Sequence, residues 1–191
     1  MKSQTINNII DTYLKKWLEN ELNTLPIEIE PEMADLAQDK NEEWRTWYPV
    51  DSKVTAAEIG EIEGRIGHKF PDDYKTFLKH KHFYELHISD ATFCEHPVNT
   101  WRASLTNMVF DGYPTGFLID KGYIPFANWS DWGLLCFDTN GNNNDDNNYP
   151  VVLWDHEIAD EFKDMAQDFY ELIIKLDEEE NAKGRHSSSI G

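Results

Sequence analysis

Three short runs constrain this fold more than anything else in the chain. Residues 123–127, Gly133–Asp138 and Val151–Asp155 each read as a strand, rich in aliphatic and aromatic side chains and bounded by Gly, Pro, Asn or Asp. The last two flank residues 140–148, an Asn- and Asp-rich loop too polar to be buried. Trp129 and Trp132 occupy the NWSDWG segment after the first run, and Trp154 sits in VVLWD, half-buried on its strand by expectation. Residues 122–162 carry no Lys or Arg but eight acids: Asp131, Asp138, Asp145, Asp146, Asp155, Glu157, Asp160 and Glu161. Aromatics beside one sign of charge make this hairpin a candidate surface for a cationic partner.

Helical signals lie on both sides of these strands. Ile6, Ile9, Ile10, Tyr13, Leu14, Trp17, Leu18 and Leu22 form one apolar stripe over residues 5–22. An acidic connection follows, with a short helix expected around 32–39, and Trp44, Trp47 and Tyr48 either join the partner surface or pin the connection to the core. Thr55 and Glu58 have the spacing of a capping box, opening a helix that presents Ile59, Ile62 and Ile66 and stops at Gly67. Pro71 at a first helical position, with Asp72 and Asp73 behind it, starts a second helix ending near Lys81. Phe83, Leu86, Ile88 and Phe93 suggest short strands, while 98–110 reads as either strand or short helix. Gly112, Pro114 and Gly116 mark a turn. Ile158, Phe162, Met165, Phe169, Leu172, Ile173 and Leu176 are expected on one final amphipathic helix, and 177–191 in a frayed tail. Helices at both ends of a strand meander argue for an α+β fold.

The 191 residues suffice for one domain with a sizeable core. Thirty-six acids against 17 bases give a formal net charge of -19. That charge repels phosphate backbones and anionic lipid, so neither nucleic acid nor membrane is expected as a partner. Cys94 and Cys136 read as free buried thiols of a reducing compartment, and no run approaches a membrane span, so a cytoplasmic protein is expected.

Site motifs fail on spacing. Asp138, Asn140 and Asn142 alternate like the first ligands of a calcium loop, but the glycine falls at 141 and Tyr149 stands where the closing Glu belongs. His80, His82, His87, Cys94 and His96 lack zinc-site spacing. No nucleophile elbow, phosphate loop or dinucleotide fingerprint occurs, and acids are too common for the pair Asp131 and Asp155 to mark a glycosidase. No cofactor, metal or catalytic residue is expected.

The series EIEGRIGHKFPDDYKTFLKHKHFYEL, then YIPFANWSDWGLLCFDTNG, VVLWDHE and a closing helix, resembles the SUKH superfamily. The matching elements are Glu63, Gly67, the Pro71-x-x-Tyr74-Lys75-x-Phe77-Leu78 helix start, the Ile124-Pro125-Phe126-Ala127 strand, Gly133 with Phe137 and Asp138, and the strand from Val151 to Glu157. That superfamily includes fungal regulators of cell-wall (glucan) synthesis and many bacterial immunity proteins. The resemblance implies a central, mostly antiparallel twisted sheet packed with N-terminal helices and a C-terminal amphipathic helix. It divides the chain into residues 1–52, a helix and acidic connection; 53–176, the SUKH-like domain; and 177–191, a flexible tail. It implies a non-enzymatic immunity protein that neutralises a protein toxin, commonly a nuclease and therefore basic. The alternative is an intracellular regulatory scaffold of the cell-wall type. Trp129, Asp131, Trp132, Asp138, Asp145, Asp146, Asp155 and Glu157 are the candidate partner contacts, and the oligomeric state is open.

Overall fold

A computed structural model describes residues 1–39, 41–111, 115–140, 148–155, 158 and 161–187. Helix α1 spans Lys2–Glu19 and buries Ile6, Ile9, Ile10, Tyr13 and Leu14, as its stripe requires. A small ladder follows, pairing β1 (Thr24–Leu25) with β2 (Arg45–Thr46). The intervening residues do not form the expected helix at 32–39. Ala34 bridges to Trp47, and the Tyr48 amide donates to the Met33 carbonyl, so this stretch is held by cross-chain bonds instead. Trp47 is fully buried and pins the connection, whereas Trp44 and Tyr48 remain exposed.

β3 (Val50–Asp51) leads to α2 (Ala56–Ile66), whose start is the predicted reciprocal cap of Thr55 and Glu58. Gly67 ends it at φ 81°, a left-handed conformation that favours glycine. α3 (Asp72–Leu78) has Pro71 as its N-cap, one position earlier than expected. It also stops short of Lys81, because β4 (Lys81–His82) pairs with β3.

β5 (His87–Ile88) and β6 (Ala91–Phe93) form a hairpin, followed by α4 (Trp101–Thr106) and a π-helical turn at Asn107–Asp111. Gly116 belongs to α5 (Thr115–Asp120) rather than to a turn, and α5 buries Leu118; Gly112 and Pro114 lie outside the described residues. Then come β7 (Tyr123–Trp129), β8 (Gly133–Asp138), β9 (Val151–Asp155), β10 (Phe162–Ala166) and α6 (Phe169–Ser187). The main sheet is antiparallel throughout, in the order β10-β9-β8-β7-β6-β5. Pro125 lacks an amide to donate, and the β7–β8 register slips immediately after it. The fold is the expected α+β arrangement. No helix among the described residues is long and apolar enough to cross a membrane.

Two corrections fall at the C-terminal end. Phe162 and Met165 lie on edge strand β10, not on the final helix. The signal passed over was Asp168-x-x-Glu171: the Asp168 carboxylate accepts from the Glu171 amide, while Glu171 accepts from the Gln167 amide. These two side-chain bonds cap the start of α6 after the strand. α6 then continues through Ser187, beyond the expected frayed start at Asp177. Polar contacts hold it where apolar anchors run out: Tyr13 donates to Asp177, Ser89 to Glu179, and Lys183 to Asp90.

One sheet face packs on α1, α3 and α6. Tyr74 of α3 meets five rings, those of Phe70, Phe77, Phe126, Phe137 and Phe169, with centroids 5.2–5.7 Å apart. The opposite face holds a smaller cluster of Leu118, Cys136, Val152 and Trp154, roofed by Tyr123 and Phe162 stacked at 3.9 Å. Trp154 is therefore buried, not half-buried, because this second face is also covered. Phe169 is fully buried among five core rings. Phe169→Ala is expected to cost about 3–5 kcal/mol, as a lost ring plus its cavity, read as a lower urea midpoint at unchanged slope.

Candidate functional site

The sheet separates the sequence-predicted contacts into two groups. Trp129, Asp131, Trp132 and Asp155 lie at one end: Trp129 pairs with Gly133, which pairs in turn with Asp155. The turn between β7 and β8 places Ser130 at φ 48° and ties its amide to the Asp90 carbonyl at 2.7 Å. Gly133 suits this crowded spot, since a Cβ would stand 2.7 Å from Leu153 Cδ1 and 3.1 Å from the Trp154 carbonyl, and both neighbours would have to shift. Trp129 and Trp132 are only partly exposed and pack on the main core, so most of their apolar area already serves the fold. Asp131 is exposed and Asp155 half-buried.

Asp138 lies at the other end of β8, opposite Tyr123. Five strand steps separate it from Gly133, about 17 Å at the usual rise. Its Oδ1 accepts from both the backbone amide and the side-chain amide of Asn140, at 2.9 Å each. Asn140 also donates to the Lys121 carbonyl, closing a turn against Gly122. Asp145, Asp146 and Glu157 lie outside the described residues. The eight candidates thus do not form one patch; those described stand at opposite ends of the sheet.

The groups most able to do chemistry have structural assignments. Glu63 is buried; burial alone would raise its carboxyl, but bonds from Lys69 and the Phe70 amide, with Lys75 beside it, outweigh that and hold it below its ordinary value. Burial pushes the Cys94 thiol up to about 12 and the Cys136 thiol higher still, so neither is a ready thiolate. His80 faces Asp11, and His87 stacks on Trp17 at 5.0 Å. No group of His, Cys, Asp and Glu suited to a metal ion occurs among the described residues.

His82 and His96 do come together, but as a buried stacked pair 4.8 Å apart. The Lys53 amide donates to His82 Nε2, which places the His82 proton on Nδ1, facing the His96 carbonyl at 2.9 Å and His96 Nδ1 at 3.0 Å. Phe83 and Trp101 enclose the His96 ring further.

The matching family is SUKH_5, described as SMI1-KNR4 cell-wall, and its model covers residues 32–176, about three quarters of the chain. The chain belongs to this SUKH family. No curated protein matches it. The SUKH match takes in every strand of the main sheet and begins within the acidic connection; α1 precedes it.

That connection carries features of this SUKH protein which the sequence reading missed. Glu30 accepts four hydrogen bonds, from the amides and side chains of Asn99 and Thr100, at 2.8–3.1 Å. Its own amide donates to the Tyr84 hydroxyl. One carboxylate therefore clamps the connection onto the start of α4, across some seventy residues of chain. Beside it, three adjoining cavities of about 570, 580 and 420 Å³ share Ile27 as a lining residue. No local spacing rule could have announced either feature.

Burial lowers the His96 pKa from 6.5 to about 3, with the neighbouring His82 adding to the effect; burial lowers His82 too. The unfolded chain therefore takes up protons that the fold refuses. The resulting stability is complete above about pH 6.5 and is lost as pH falls toward 3, at up to about 1.4 kcal/mol per pH unit for each refused proton. His96→Phe, which keeps a stacked ring, should flatten the acid-side decline in urea-unfolding free energy relative to the native chain. An unchanged slope would refute this account.

Proposed function

We propose that this SUKH chain is a non-enzymatic immunity protein that binds and neutralises a cationic protein toxin. The observation that carries this reading is the net charge of -19 on a chain built around a SUKH domain. A basic toxin that must hold phosphate presents the complementary surface, and an acidic partner associates with it quickly by long-range steering. The described candidates contribute at the sheet ends: Asp131 and Asp155 beside Trp129 and Trp132, with Asp138 at the far end. Asp145, Asp146 and Glu157 complete the set that the sequence nominates.

The description of the matching family favours a second reading, an intracellular scaffold acting in cell-wall synthesis. The two readings differ in what releases a phenotype. Coexpression with the toxin encoded beside this gene is expected to restore growth and to yield a stoichiometric complex whose association slows as salt is raised. Absence of both rescue and binding would end the immunity reading.

A further inference from the structure

The protein's charges are not evenly compensated. On α1, α2, α3 and α6 many acids have partners: Asp168 and Asp73 share Lys2, Glu63 has Lys69 and Lys75, Glu61 has Arg102, and Glu171 has Lys175. The three cavities around Ile27 are different. Among the described residues, their walls carry Glu28, Asp35, Glu42, Glu43, Glu85, Glu95 and Asp111 against Arg45 as the one lysine or arginine. Arg45 itself donates to the Asp39 carbonyl. Among the described residues, none of these acids has an ion-pair partner, and Glu28, Glu43 and Asp111 make no side-chain hydrogen bond either. The chain reinforces this: between Lys16 and Arg45 stand nine acids and one base, Lys40.

The same walls are apolar. Ile27 is 46% exposed and Leu36 88% exposed, with Pro26, Pro31 and Met108 nearby. These side chains do not hold the connection in place. Ile29, Met33 and Trp47 do so from below, together with the Glu30 clamp. The groove is thus a fixed shape with exposed hydrophobic side chains and uncompensated charge.

We propose that this groove, running past Ile27 between the 26–45 connection and the β5–β6 hairpin with α4, seats a segment of a partner protein in which Lys or Arg alternates with large apolar residues. Charge complementarity selects the occupant. A second copy of this chain would bring more negative charge, and a purely apolar segment would leave the acids uncompensated. Apolar side chains of the segment cover Ile27 and Leu36 while its cations meet Glu28, Glu43 and Asp111. Burial holds the Glu85 carboxyl above its ordinary value at the groove wall, a penalty that an arriving cation relieves. The inference rests on the binding role proposed above and deepens it: acids at the sheet ends steer, and the groove anchors.

The test uses the full chain and a labelled short peptide alternating lysine and leucine, followed by fluorescence anisotropy. Glu28→Gln, Glu43→Gln and Asp111→Asn together remove three groove charges; Asp120→Asn, Asp164→Asn and Glu178→Gln remove three exposed charges elsewhere. The groove triple is expected to weaken binding about tenfold more than the control triple, and Ile27→Ser with Leu36→Ser to weaken it about as much, as for residues that anchor an interface. A lysine–serine peptide of equal charge should bind more weakly than the lysine–leucine one. Equal loss in the two triples, or equal binding of the two peptides, would reduce the interaction to diffuse attraction and overturn the proposal. A dimer in sedimentation that Leu36→Ser dissolves would also overturn it, by naming a second copy as occupant. No toxin is present in this assay, so its failure leaves the coexpression result standing, and the reverse also holds.

Discussion

The main core of this molecule is arranged around the ring of Tyr74. It is 1% exposed and touches aromatic neighbours from the segment before α3, from α3 itself, from β7 and β8, and from α6. Edge-to-face and tilted contacts of this kind add about 0.5–1.5 kcal/mol per pair beyond buried area. They also fix direction. A helix anchored by one ring among five cannot rotate without breaking several contacts at once, so α3 sets where the sheet and α6 lie. The loops at the sheet ends and the connection over α4 are then positioned by a rigid base.

Local signals in the sequence were read well where a local rule governs. The Thr55–Glu58 cap, the left-handed Gly67, the buried stripe of α1 and strands β7 to β9 need only neighbouring residues to specify them. Reading failed where distant partners decide. Phe162 and Met165 fit a helical spacing, yet Phe162 stacks on Tyr123 and its strand pairs with β9. Met33 and Ala34 would suit a helix, but the bonds offered by Trp47 and Tyr48 compete for them. His82 and His96 are fourteen residues apart and show no motif, yet the β-bridge of Phe83 to His96 brings them into contact.

The candidate surface follows the same division. The acidity and the aromatic content of the hairpin were legible, because both are properties of composition. Which tryptophans remain available was not. Trp129 and Trp132 pack inward because the Ser130 turn is tied to Asp90, while Trp44, in a connection that looked incidental, remains exposed. Exposure is decided by what each segment is tied to, and those ties run between segments far apart in sequence. The SUKH match and the location of free negative charge are complementary in this respect: the first describes the shared frame, the second what this chain displays on it.

The placement of α1 carries a consequence for the order of events during synthesis. Lys2 reaches Asp168 and Tyr13 reaches Asp177, so α1 lies beside the first half of α6. α1 leaves the ribosome more than a hundred and forty residues before α6 does. Until then α3 can supply part of its cover, and the part that α6 gives is missing. Through that interval the nascent chain carries an apolar helix face that is only partly covered, where a holding chaperone would find its natural grip.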